Sequence, residues 1–298
     1  MFYLNPRYEA DFWQQGLRRL DDFFVCTDGV TVGRHASRHV RRIPMRDYQI
    51  YLKREEPVLF RDKLESWWNG FGWCSKARRE WQILVRLRER GLPCPEPVAV
   101  GEENGMAFLV VKGFTESFDL PMYLAFRPSM EERHAVLRNM GHAIADLHNA
   151  GFTHPDLYAK HIFVHRPTLQ VSFVDYQRTC IVKKLSLKQR CLELARLDAT
   201  LHPGAVPFKE RLTFLHAYLH RAYTHVTREM VREAALIITA ESSRLLKRRR
   251  IQGMYAETSL LSGDVSVVTY CRVRVPEEPH QRMTMVEQEE PAALKRIS

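Results

Sequence analysis

Polar and apolar positions alternate between about residues 20 and 60. Val30 and Val32 are flanked by polar neighbours, His39-Val40-Arg41-Arg42-Ile43 follows, and beyond Pro44 to Asp47 comes Tyr48-Gln49-Ile50-Tyr51-Leu52-Lys53. Aromatic and β-branched residues separated by short polar turns predict strands and antiparallel hairpins over this stretch. From Ser75 to Arg90 the period changes. Ala77, Trp81, Leu84, Val85 and Leu87 fall close to a helical repeat, with charge on the other faces. Gly91 ends this helix, and Pro93 and Pro95 prevent its resumption. Val98-Ala99-Val100 and Ala107 to Val111 then read as two strands around a turn at Glu103-Asn104-Gly105.

After Gly113 helical patterns dominate. Ser129 is an N-cap residue type, with Glu131 and Glu132 behind it, and Leu137, Met140, Ile144 and Leu147 form an apolar stripe down to Gly151. Ile162-Phe163-Val164 and Val171 to Val174 predict two small strands, and the helical pattern returns from about Leu187 to Arg249. Beyond Arg250 a polar tail begins, interrupted by one β-prone stretch, Val265 to Val275. Strands with one helix, followed by helices, make an α+β chain of two unequal lobes. The expected divisions are a strand-rich N-lobe over 15–112, a helical C-lobe over 113–250 and a polar, partly disordered tail over 251–298.

Composition narrows the class. The 298 residues are 45% hydrophobic and 27% charged, which fits a folded soluble protein. The six cysteines form no C-x-x-C pair, so free thiols in a reducing compartment are expected. With no secretory signal pattern and no apolar run near twenty residues, the expected location is the cytoplasm, with contact at the inner face of the cytoplasmic membrane left open. The formal net charge of +10 suits a polyanionic partner or, equally, simple solubility.

Three residues carry the chemistry. Lys53 ends a predicted strand, Asp156 sits in a loop after a long helix, and Asp175 follows the apolar run Val171 to Val174. Phosphoryl transfer requires a cation on nucleotide phosphates, a carboxylate near the attacking hydroxyl and ligands for magnesium. Each residue alone is commonplace. Their order, with Glu80 on a helix between the first two, is specific.

The segment Leu147-His148-x-x-Gly151-x-x-His154-Pro155-Asp156-Leu157 resembles the catalytic loop of protein-kinase-like enzymes. More narrowly, Asp156-Leu157-Tyr158-x-x-His161-Ile162-Phe163-Val164 is similar to the lipopolysaccharide core heptose kinase family, where a Tyr follows the catalytic Asp by two residues and a His replaces the usual Asn. The resemblance covers roughly residues 20 to 250. It implies a two-lobed protein-kinase-like fold, ATP and Mg²⁺, and transfer to a hydroxyl of inner-core heptose. The acceptor would be a glycolipid; no nucleic-acid partner is implied. By position it assigns Lys53 to the α- and β-phosphates, Glu80 to orienting that lysine, Asp156 to the base, and Asp175 with His161 to the metal. Phe108 to Gly113, including Val110, Val111 and Lys112, would form the hinge against adenine.

The chain departs from protein kinases at several points. No G-x-G-x-x-G precedes Lys53, so Gly33 and Arg34 to Arg38 would cover the phosphates. Pro155 stands where an Arg is usual, Asp175 is followed by Tyr176-Gln177, and no Ala-Pro-Glu segment follows. A small atypical protein kinase and a non-catalytic module on the same fold are the alternative readings. His148 and His154 are expected to be structural.

Overall fold

The computed structural model describes residues 1–35, 37–201 and 204–251. The predicted tail strand Val265 to Val275 lies outside them. The chain divides into a unit Met1–Lys247 and the remainder, Arg248–Ser298.

The first part of the larger unit runs β1 (Phe2–Leu4), α1 (Glu9–Gln14), α2 (Leu20–Val25), β2 (Val30–His35), β3 (Arg38–Pro44), β4 (Gln49–Glu55), α3 (Phe60–Trp68), α4 (Lys76–Glu89), β5 (Pro97–Glu103) and β6 (Met106–Lys112). The strands form one antiparallel sheet in the order β1-β5-β6-β4-β3-β2. The predicted hairpins are present, and Asn104 and Gly105 take positive φ at the tight β5–β6 turn.

Leu20 to Val25, expected as strand, is helical. The Asp22 carboxylate accepts from the N–H groups of Arg18 and Arg19, at 2.8 and 2.7 Å, and so satisfies donors that an extended strand would leave to a neighbour. This helix and α1 cover one face of the sheet. There Phe12 and Phe23 pack with Ile43, Ile50, Leu52, Phe108 and Val110. Phe23 stacks on Phe108 with ring centroids 4.5 Å apart. The other face places Ala107, Leu109 and Val111 in the same core as Ile83, Leu84 and Leu87 of α4.

The second part contains β7 (Ser117–Asp119), α5 (Leu120–Ala125), α6 (Met130–Asn149), β8 (Ile162–His165), β9 (Val171–Phe173), α7 (Leu187–Asp198), α8 (Phe208–Ala222) and α9 (Arg228–Ile251). Ser129 caps α6 as expected. Its hydroxyl accepts from the Glu132 N–H, while the Glu132 carboxylate accepts from the Ser129 N–H. Strands β7, β8 and β9 form a small antiparallel sheet, and the loop between α6 and β8 carries Asp156. Among the described residues no helix is long and apolar enough to cross a membrane.

Candidate active site

Lys53 lies on β4 opposite Val40 of β3 and Leu109 of β6. Directly opposed side chains share a sheet face, so the lysine points to the side that α4 covers. There its ammonium donates to Glu80 Oε1 at 2.6 Å. The other carboxylate oxygen, Oε2, accepts from Arg38 Nη2 at 3.0 Å. Glu80 is almost fully buried and holds two cations at once. A buried carboxylate with both oxygens in charge-assisted bonds fixes each partner's position. The sequence places Arg38 in a phosphate-covering loop. Instead β2 and β3 run up to His35 and Arg38, whose backbones pair, so Arg38 starts a strand.

Asp175 follows β9 with φ at +66°, a region few non-glycine residues occupy and one that recurs at functional sites. Burial opposes ionisation of its carboxyl, but the charges of Lys53 and Arg38 outweigh it and hold the pKa below the ordinary value. Asp175 is therefore an anion facing the Lys53–Arg38–Glu80 group. His161 Nε2 stands 3.8 Å from Asp175 Oδ2. Its Nδ1 lies 2.8 Å from the Asp156 carbonyl oxygen. A carbonyl only accepts, so Nδ1 carries the proton. In the neutral ring the Nε2 lone pair then faces a carboxylate oxygen, an arrangement that a cation between them would relieve.

Asp156 is buried, and its Oδ1 accepts from Arg178 Nη1 at 2.9 Å. The loop that presents it hangs on Glu193 of α7. One oxygen of Glu193 accepts from the His154 backbone N–H at 2.6 Å and lies 3.1 Å from His148 Nε2. His148 Nδ1 is 2.8 Å from the Tyr218 hydroxyl. His154 Nε2 donates to the Val174 carbonyl, and burial pushes its pKa down. Both histidines thus hydrogen-bond within the loop's supports, as the sequence suggested.

The other nucleotide-side candidates are arranged differently. Gly33 sits at a register shift opposite Val40. A Cβ there would make only ordinary contact with the Val40 side chain, so the protein's own packing does not demand glycine. Val111 lies on the Lys53 face of the sheet. Val110 points into the opposite core, and the Lys112 ammonium lies over the rings of Tyr48 and Tyr8. The structure does not bring those two side chains together with the rest.

The lipopolysaccharide kinase (Kdo/WaaP) family model matches residues 31–218, more than half of the chain, a span that includes Arg38, Lys53, Glu80, Asp156, His161 and Asp175. The chain belongs to the lipopolysaccharide kinase (Kdo/WaaP) family. It is similar to the lipopolysaccharide core heptose(I) kinase WaaP of Pseudomonas aeruginosa, at 26% identity over 59% of this chain and 71% of that protein. The Escherichia coli protein of the same name matches at 27% identity over 41% of this chain and 51% of its own length. Among solved structures, WaaP in complex with acyl carrier protein superimposes with a TM-score of 0.63 at 20% identity, over 83% of this chain and 98% of that one. That likeness establishes the two-lobed α+β fold, and the family establishes that the protein is a kinase.

Two residues of this lipopolysaccharide kinase went unmarked in its sequence. Arg178 pairs with Asp156. Arg79, next to Glu80 on α4, is fully buried and donates to the Thr179 carbonyl at 2.9 Å and to Glu65 Oε1 at 2.9 Å. Adjacent residues of one helix thus reach the strand lysine and the loop beyond Asp175. A buried arginine on an otherwise amphipathic helix looks in sequence like one more exposed charge.

Proposed function

We propose that this lipopolysaccharide kinase transfers the γ-phosphoryl group of ATP to a hydroxyl of inner-core heptose. Asp156 is the base that faces that hydroxyl, and Lys53 and Arg38 take the nucleotide phosphates. The convergence of Glu80, its two cations, anionic Asp175 and the Arg178-bound Asp156 supports the reading most directly. The names of the two relatives, and the loop signature with Tyr158 and His161, support heptose as the acceptor.

In this reading the acceptor oxygen bonds to the γ-phosphorus as the bond to the β–γ bridging oxygen breaks. ADP departs, and the acceptor proton passes to Asp156. The transition state is loose, so positioning and charge neutralisation do most of the work. Asp156 orients the hydroxyl and accepts its proton late, and Lys53 and Arg38 hold the phosphates. The Asp175 carboxylate and the His161 Nε2 lone pair fit a divalent cation, although magnesium prefers the oxygen donor. When bound, magnesium supplies neutralisation of phosphate charge.

The test is to incubate the protein with labelled ATP and deacylated core oligosaccharide, then locate the phosphate by mass spectrometry. One phosphate on heptose is expected. Asp156→Ala should abolish transfer and leave nucleotide binding by calorimetry close to wild type. Label on protein with none on the glycan would refute the acceptor, and an active Asp156→Ala would refute the base.

A further inference from the structure

Helix α3 is amphipathic in the inverted sense. Its buried side chains are Asp62 and Ser66, one turn apart. Asp62 pairs with Lys76 at 2.9 Å, and the Ser66 hydroxyl donates to the Asp62 carbonyl. The outward stripe is Phe60, Leu64, Trp67 and Trp68, at helical spacings of four, seven and eight, with exposures of 70, 44, 55 and 81%. Trp73, 48% exposed, extends the stripe by packing edge-on against Phe60 at 5.1 Å. A water-facing helix normally shows the reverse, and contiguous exposed apolar surface of this kind marks a binding face.

The surrounding charge indicates what covers it. From Phe60 to Arg78 there are four cations, Arg61, Lys63, Lys76 and Arg78, against two carboxylates. The carboxylates are already engaged, Asp62 by Lys76 and Arg61, Glu65 by the buried Arg79, and Glu102 of β5, which reaches the same rim, by Lys63 at 3.2 Å. The rim of the stripe is therefore net positive. Tryptophan at the edge of a basic, apolar, convex helix is the composition that settles at the headgroup level of an anionic bilayer. The end of the helix also reaches the loop beyond Asp175. Asn69, at the C-terminus of α3, accepts from Cys180 Sγ at 3.1 Å, two residues from the Arg178 that holds Asp156.

We propose that the α3 stripe is the surface by which the kinase docks on an anionic membrane, bringing the Asp156 side of the site to a membrane-borne acceptor. The role of docking in turnover rests on the glycolipid acceptor proposed above; the binding surface itself does not.

The test uses the full chain and the variant Trp67→Ser/Trp68→Ser, whose side chains are more than half exposed, so the fold is retained by circular dichroism. Co-sedimentation is measured with vesicles of phosphatidylglycerol and phosphatidylethanolamine, and with vesicles of phosphatidylcholine alone. Wild type should bind the anionic vesicles and bind the neutral ones far less. The double variant should lose about 100-fold in partition, roughly a decade for each large apolar side chain withdrawn from lipid. Its kcat/KM on soluble core oligosaccharide should be unchanged, while phosphorylation of vesicle-embedded lipopolysaccharide falls. Equal vesicle binding by the two proteins would overturn the proposal. So would absence of vesicle binding together with a Trp67/Trp68-dependent dimer in light scattering, or with a Trp67/Trp68-dependent complex with an acyl carrier protein. If vesicle binding behaves as expected but neither acceptor is phosphorylated, the docking surface stands and the acceptor reading fails.

Discussion

Replacing Arg79 with Met tests whether α4 positions the loop beyond Asp175. The guanidinium is fully buried and spans from α4 to the Thr179 carbonyl, with Glu65 on Nη1 and the Phe71 ring 5.1 Å beneath it. Losing the charged donor to Thr179 costs about 1.5–3 kcal/mol. The Glu65 pair adds no more than about 1 kcal/mol, because that carboxylate is 47% exposed and screened by water. The ring contact adds about 1 kcal/mol. Relief of a desolvated guanidinium whose Nε has no partner works in the opposite direction. The net loss expected for Arg79→Met in urea unfolding is about 2–3 kcal/mol, and Arg79→Ala should lose more through the cavity it leaves. The functional expectation is separate. Thr179 follows Arg178, so a loosened loop releases the Asp156 contact, and kcat should fall under conditions where the variant is still folded. The thiol of Cys180, hydrogen-bonded to Asn69, should alkylate faster. If stability falls as expected while kcat and Cys180 alkylation match wild type, α4 does not position this loop.

Two further outcomes follow from single residues. Gly151, just before the catalytic loop, has φ at +83°, and a Cβ there would run into the Val182 carbonyl oxygen; Gly151→Ala should lose about 2 kcal/mol or more and melt several degrees lower by calorimetry. Burial raises the Glu55 pKa, while its one hydrogen bond, from the Ala77 N–H, lowers it less. The folded state therefore binds more protons than the unfolded one above the usual carboxylate pKa near 4.3, so stability falls as pH rises through that window, and Glu55→Gln should flatten that part of the stability–pH curve.

The β2–β4 hairpins, the β5–β6 turn, the capped helix from Ser129 and the short strands β8 and β9 were all legible, because each has one periodicity and a turn or cap residue at its end. Residues 20 to 25 and 60 to 68 were not. The first helix is only six residues long, too short for a helical repeat to stand out. In α3 the polar residues face inwards, so the usual rule reads the helix inside out. Val110 was assigned to the hinge by the family resemblance alone; both faces of β6 are apolar, so no alternation shows which core its side chain enters. In the candidate site, Lys53, Glu80, Asp156 and Asp175 stood out by their order along the chain, and His161 only by the family resemblance. Arg38 was marked only as one residue of a phosphate-covering stretch, and Arg79 and Arg178 were given no role, since a charge's burial and partner are properties of tertiary contact.

Those three arginines bear on how a kinase can work without a glycine-rich loop. On the proposed reading, glycine-rich backbone N–H groups are replaced by side-chain cations, and side chains are more mobile than backbone. Glu80 removes that freedom by holding Lys53 and Arg38 through its two oxygens. Two cations and one carboxylate leave a surplus positive charge, which the anionic Asp175 partly offsets and which incoming phosphates can engage. Both cations remain slightly open to solvent, 13% for Lys53 and 18% for Arg38, whereas Glu80 is 1% exposed. The anchor is thus buried and the cations are reachable. Because Glu80 and Arg79 are neighbours on α4, any displacement of that helix moves the phosphate-side cations and the Arg178 loop together. On the proposed reading, nucleotide and acceptor sides are coupled through one helix, with no need for a phosphorylated loop to align them.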